Sequence, residues 1–110
     1  VEADVRSADF SGIFAGRGVD LVVHLAAVVT PPPGMDRATL RAIDVGGTRR
    51  VLEGCAAAGV RKLVYTSSGA AYGYHADNPA WLTEDHPLRG NPAFAYSDHK
   101  RQVEEMLAHY

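Results

Sequence analysis

One cysteine stands alone in this chain of 110 residues, so no internal disulfide can form and the reducing interior of a cell is the expected setting, the cytoplasm. The five histidines, His24, His75, His86, His99 and His109, include no close pair at metal-ligand spacing, and no metal is expected. Charge of one sign is missing too: 11 Lys and Arg against 13 Asp and Glu give a net charge of −2, with the basic residues scattered. That leaves no field to gather phosphate backbones, and nucleic acid is excluded as a partner. The longest apolar run, LVVHLAAVV, has nine residues and holds a histidine, where crossing a bilayer takes about 20, so no membrane anchor is expected. An initiator methionine and a signal pattern are also lacking at VEADVRSADF, which reads as an internal cut.

What is present is the patterning of an α/β domain. RSADFSGIFAG suits a brief helix with Ser7 as N-cap. Leu21 to Leu25 is a continuous apolar run rich in valine, which predicts a strand buried on both faces, as in a parallel sheet. TPPPG then breaks the chain. From about Asp36 to Ala58, apolar or small residues at Leu40, Ile43, Gly47, Val51, Cys55 and Ala58 predict a helix, with Gly59 as its stop. Gly46 and Gly47 inside it cost about 1 kcal/mol each relative to alanine, which predicts close approach of another part of the backbone. VRKLVYTSS supplies a second strand, about Lys62 to Thr66, completing a β-α-β crossover. A connection of about two dozen residues follows, and loops of that length are usually functional. Asn91 and Pro92 then open a last helix, Ala93 to His109.

The chemistry concentrates at that last helix and the second strand. In AFAYSDHKRQVEEML, Tyr96 and Lys100 stand four residues apart, which on a helix places both on one face. A free phenol is a poor acid–base group at neutral pH. An ammonium about 4 Å away favours the phenolate by on the order of 4 kcal/mol at an effective dielectric of about 20. Ser67 and Ser68 follow the second strand, at the edge where open α/β sheets bind ligands. A serine hydroxyl there can hydrogen-bond the reacting oxygen while Tyr96 moves its proton. His24, within an apolar strand, reads as a packed core histidine, and Trp81 as a cover over the edge of the site. A hydrolase reading of Ser68 fails because no GxSxG surrounds it.

Five segments in order, ADV, VDLVVHLAA, DVGGTRRVLEGCAAAGVRKLVYTSSGAAYG, TEDHPL and YSDHK, resemble the extended short-chain dehydrogenase/reductase family of NAD-dependent sugar epimerases and dehydratases. The resemblance implies a partial, doubly wound Rossmann-type parallel sheet over residues 1–110, lacking its first strands and the C-terminal substrate domain. It also implies NAD or NADP as cofactor and a small-molecule substrate, a nucleotide sugar or related alcohol. By the same resemblance, Tyr96 is the acid/base, Lys100 its partner and a ribose ligand, and Ser68 the substrate-orienting hydroxyl. Asp4 and Val5 would hold the adenine, Ala26 and Ala27 pack against the cofactor, and Ser67 lies beside the nicotinamide. Asp44 stands where the family often has asparagine, which leaves that contact open. By the same resemblance, the helices around Leu40 to Ala58 and Ala93 to His109 pack between two subunits, and a homodimer is expected. The glycine-rich turn of the family is absent, since the spacing in SGIFAGRG is wrong for it. Acidic residues that serve elimination in some dehydratases would follow the serine, where this chain has Gly69 and Ala70; epimerisation or reduction is therefore favoured. Outside catalysis, the same fold could serve as a dinucleotide-binding module.

Overall fold

A computed structural model describes residues 1–110. Two parallel strands, β1 (Leu21–His24) and β2 (Lys62–Tyr65), pair from Leu21 opposite Lys62 to His24 opposite Tyr65. Between them runs the expected crossover, α2 (Arg37–Arg41) and α3 (Gly47–Ala58), joined by a π-helical turn, Ala42–Gly46. Before the sheet lies α1 (Phe10–Ala15), and after it come a 3₁₀ turn (Gly69–Tyr72) and α4 (Ala95–Leu107). The architecture is α/β with a small parallel sheet, a partial Rossmann-type fold. No helix is long and apolar enough to cross a membrane.

Several local expectations shift for identifiable reasons. α1 is capped by Asp9, whose carboxylate accepts from Gly12 N at 3.0 Å and the Ser11 hydroxyl at 2.8 Å; Ser7 lies in the preceding turn, its backbone N–H donating to Asp4 O. The last helix starts later than Ala93 because Asn91 Oδ1 takes the Ala93 N–H at 3.0 Å, closing a turn in which Pro92 and Ala93 sit. The long crossover helix is not uniformly α-helical but contains the π turn, a form found frequently at functional sites. Gly47, just past it, lies against Val5: a Cβ there would stand 2.6 Å from a Val5 methyl, which accounts for one of the two costly glycines. Gly46 has no such neighbour.

The strands are not buried on both faces. Val22, His24, Leu63 and Tyr65 turn inward, whereas Leu21 and Val23 remain 48% and 52% exposed, with Val64 beside them. The helices of this chain cover one face only. The core beneath that face joins Leu40, Val45, Val51, Leu52, Cys55 and Val103. Each large aliphatic side chain buried there contributes about 1.5–3 kcal/mol. α4 is fastened across the core by polar contacts: Arg37 reaches Asp98 at 2.9 Å, Arg41 reaches Gln102 at 3.0 Å, and the Ser97 hydroxyl donates to Ala70 O at 2.6 Å.

Candidate active site

Both strands end at the same edge of the sheet. Past β1 come Leu25, Ala26 and Ala27; past β2 come Thr66, Ser67 and Ser68. α4 begins against this edge, which places Tyr96 in its first turn and Lys100 one turn later. Tyr96, Lys100, Ala26, Ala27, Asp44 and His99 line one small pocket, with Tyr65 at its wall. Tyr96 and Lys100 thus share a site with Ala26 and Ala27.

The lysine is anchored, though not to Tyr96. Lys100 Nζ donates to Tyr65 Oη at 2.8 Å and to Thr66 O at 2.8 Å, and lies 4.5 Å from the Tyr65 ring centroid and 5.6 Å from that of Tyr96. Burial lowers the pKa of the ammonium; the charges of Asp44 and Glu104 act the other way. Tyr65 is held neutral, its phenol pushed well above the ordinary range by burial first and then by Asp44, Glu104 and Tyr96. No motif in the sequence marks Tyr65 as a site residue. Strand alternation carries the signal that could have found it, since Tyr65 shares the inward parity of Leu63.

Ser68 caps the 3₁₀ turn: its Oγ accepts from Ala70 N at 3.1 Å, and its hydroxyl hydrogen remains to donate. Ser67 and Ser68 line a separate groove with Gly69, Tyr72, Glu84 and Glu104. No hydrogen bond links Ser68 to Tyr96. The two places are neighbours through Thr66, which precedes the serines and takes Lys100 on its carbonyl. Val5 and Ala26 meet in an apolar groove with Ala3 and Val22, while Asp4 stands outside it, bound to Arg6 at 2.6–3.1 Å. That guanidinium holds the Asp4 carboxyl down to about 2.

Asp44 has a definite place. Its Oδ1 accepts from Val28 N at 3.0 Å and its Oδ2 from His99 Nδ1 at 3.2 Å, and the residue is 7% exposed. His24 is a buried core histidine. The Thr48 hydroxyl spends its only hydrogen on Asp44 O at 2.6 Å, so His24 Nε2, 2.9 Å from Thr48 Oγ1, is the donor. Burial, then the Lys100 charge, lowers the pKa of His24. Trp81 covers nothing: it is 87% exposed on the long loop, because that loop folds through polar contacts such as Tyr72 Oη to Thr83 O at 3.0 Å. No group of three His, Cys, Asp or Glu side chains is placed to hold a metal ion.

Known proteins resemble the chain throughout. The family model described as the NAD dependent epimerase/dehydratase family matches residues 1–110. A UDP-glucose 4-epimerase of Mycolicibacterium smegmatis is 38% identical over 112 residues, covering 100% of this chain and 34% of that protein. A crystal structure of a short-chain dehydrogenase/reductase superfamily protein from Agrobacterium tumefaciens with bound NAD superposes with a TM-score of 0.76 at 37% identity, over 96% of this chain and 31% of that one. UDP-glucose-4-epimerase from Stenotrophomonas maltophila, with bound NAD and formylated UDP-arabinopyranose, gives 0.75 at 26% identity, over 99% and 32%. The chain therefore spans about a third of the length of these relatives. With its parallel strands, its pocket at their C-terminal edge and a family match from end to end, the chain belongs to the NAD-dependent epimerase/dehydratase family.

Proposed function

We propose that the protein carrying this chain is an NAD-dependent epimerase acting on a nucleotide sugar, and that residues 1–110 form the middle of its dinucleotide-binding domain. The observation that carries the reading is the placement of Lys100: a buried ammonium 5.6 Å from the Tyr96 ring, in a pocket that Ala26 and Ala27 also line. The donor set suits a dinucleotide. Lys100 has three N–H groups and spends two inside the fold, leaving one for a ribose hydroxyl. Ala26 and Ala27 leave room where larger side chains would close the pocket. Val5 and Asp4 take the adenine end, and Ser67 the nicotinamide end.

Bound NAD supplies the hydride acceptor that oxidises the carbinol carbon and later returns the hydride. The chain's own residues handle the proton. Tyr96, as the phenolate that Lys100 stabilises, takes it from the substrate hydroxyl and becomes the neutral phenol, while the Ser68 hydroxyl donates to the substrate oxygen as it becomes a carbonyl. Relatives that carry UDP-sugars in their names support the substrate class. A setting in the cytoplasm fits the single, unpaired Cys55. The outer sides of the π turn, α3 and α4, where Val45, Arg49, Gln102 and Met106 flank one groove, are the surface through which two copies pair.

The test is direct. The full-length protein, incubated with NAD and UDP-glucose or UDP-galactose, is expected to interconvert the two sugars without net formation of reduced cofactor. Steady accumulation of NADH would identify a dehydrogenase instead, and no turnover of any UDP-sugar would remove the substrate class.

A further inference from the structure

Lys100 is a buried cation without an ion pair. It is 4% exposed, its hydrogen bonds go to two uncharged oxygens, and no carboxylate stands within 4.0 Å of its Nζ. Removing an ammonium from water costs several kcal/mol unless nearby charge offsets it. The groups that face it are Tyr65 and the Thr66 carbonyl from the end of β2, His24 from β1, Asp44 from the π turn, and Tyr96 and Glu104 from α4 itself. Only Asp44 and Glu104 carry negative charge. Both favour the protonated lysine, Asp44 more than Glu104. Glu104 lines the outer groove, where water screens it, whereas Asp44 lies inside the pocket.

Asp44 is also held in a way that its sequence position does not suggest. Each of its oxygens accepts one bond, from Val28 N–H just past the two alanines and from His99 immediately before Lys100. A carboxylate only accepts, so His99 presents Nδ1–H to it, and His99 Nε2 is left buried with no partner at all. His99 is 1% exposed. An unpartnered buried polar atom costs about 1–3 kcal/mol, and a ring kept at that cost needs a reason. The bond to Asp44 supplies one, because it ties the π turn to the helix that carries Lys100.

We propose that Asp44 and His99 form a buried positioning pair for Lys100, in which Asp44 is the countercharge of the ammonium across the pocket and His99 holds that carboxylate in place. The proposal rests on reading Tyr96 and Lys100 as the reacting pair, but its main readout requires no substrate. In full-length protein with labelled lysine side chains and bound NAD, the Lys100 resonance, identified by its loss in Lys100→Met, is followed against pH by NMR. Asp44→Asn keeps the shape and removes the charge. It is expected to lower the Lys100 midpoint by about one pH unit, a tenfold change in protonation ratio, and to shift the alkaline fall in turnover equally. Asp44→Glu, which keeps the charge, is expected to restore both. A folded Asp44→Asn protein with an unchanged Lys100 midpoint overturns the proposal whatever its turnover. If the midpoint shifts but the unsubstituted protein turns over no nucleotide sugar, the proposal stands and the functional reading fails. Should Asp44→Asn fail to fold, His99→Leu decides: with the carboxylate released, the Lys100 midpoint is expected to fall and turnover to drop about tenfold, and a folded protein with an unchanged midpoint overturns the pair.

Discussion

The two faces of the small sheet are built on opposite terms. Toward the helices, His24, Asp44, Thr48, Ser97, His99 and Lys100 are buried polar residues. On the other face Leu21, Val23 and Val64 are aliphatic and open. Burying polar groups is unfavourable unless each is hydrogen-bonded, and here they are bonded mainly to one another and to carbonyls just past β2 and in the 3₁₀ turn. Leaving aliphatic surface in water costs about 25 cal/mol per Å². The polar side is thus organised within this chain, whereas the apolar side has no partner in it. With the chain spanning about a third of its relatives, we expect the apolar side to be covered in the full-length protein and the polar side to be where its chemistry is done.

The sharpest way to break that comparison is to remove the buried charge. Lys100→Met in the full-length protein is expected to lower turnover by at least about 10²-fold in a protein that still folds, with a lower melting temperature because the buried Asp44 carboxylate loses its countercharge. A Lys100→Met protein that loses its fold along with its activity would make the lysine structural. The apolar side is probed by Val23→Asp. If that face is covered in the full-length protein, the substitution buries an unpaired charge and should destabilise by about 3 kcal/mol or more, read by urea denaturation; a change within about 0.5 kcal/mol would mean the face is open to water.

A smaller effect comes from His24. Its pKa is depressed below the ordinary 6.5, so above that pH folded and unfolded chains both carry it neutral and it adds no pH dependence. As pH falls below 6.5 the unfolded chain takes up a proton that the folded one resists, and stability declines until pH reaches the lowered folded value. His24→Gln should flatten that stretch of the stability profile, and an unaltered slope would assign the dependence elsewhere.

Much of this was legible in the sequence, and the exceptions have physical causes. The crossover, the strand ends and the shared face of Tyr96 and Lys100 follow from periodicity and spacing, which are local properties. Strand coverage is not local: Leu21 to Leu25 reads as buried on both faces because an apolar run reports what a strand needs and not what lies next to it. The π turn is invisible to a pattern of threes and fours, since one extra residue per turn leaves apolar positions on both sides intact. Asp44 was therefore placed on a helix but not against His99, a partner 55 residues away. Tyr65 escaped notice because a strand tyrosine looks like packing until the lysine that it holds is in view. Ser68 and Tyr96 line adjoining grooves, and spacing does not report how the 3₁₀ turn after β2 fixes the Ser68 oxygen.

The central claim, that Tyr96 is the proton carrier of a site organised by Lys100, is tested most directly by steady-state turnover of UDP-galactose by the full-length protein and its Tyr96→Phe variant across pH. The substitution removes one oxygen and keeps the ring beside Phe94, 6.0 Å away between centroids, so folding and NAD binding should be retained. Turnover is expected to fall by about 10²–10⁴-fold at every pH, with melting temperature and NAD affinity unchanged. Turnover within a few-fold of the unsubstituted enzyme would contradict the account and leave Tyr96 a packing residue of the helix.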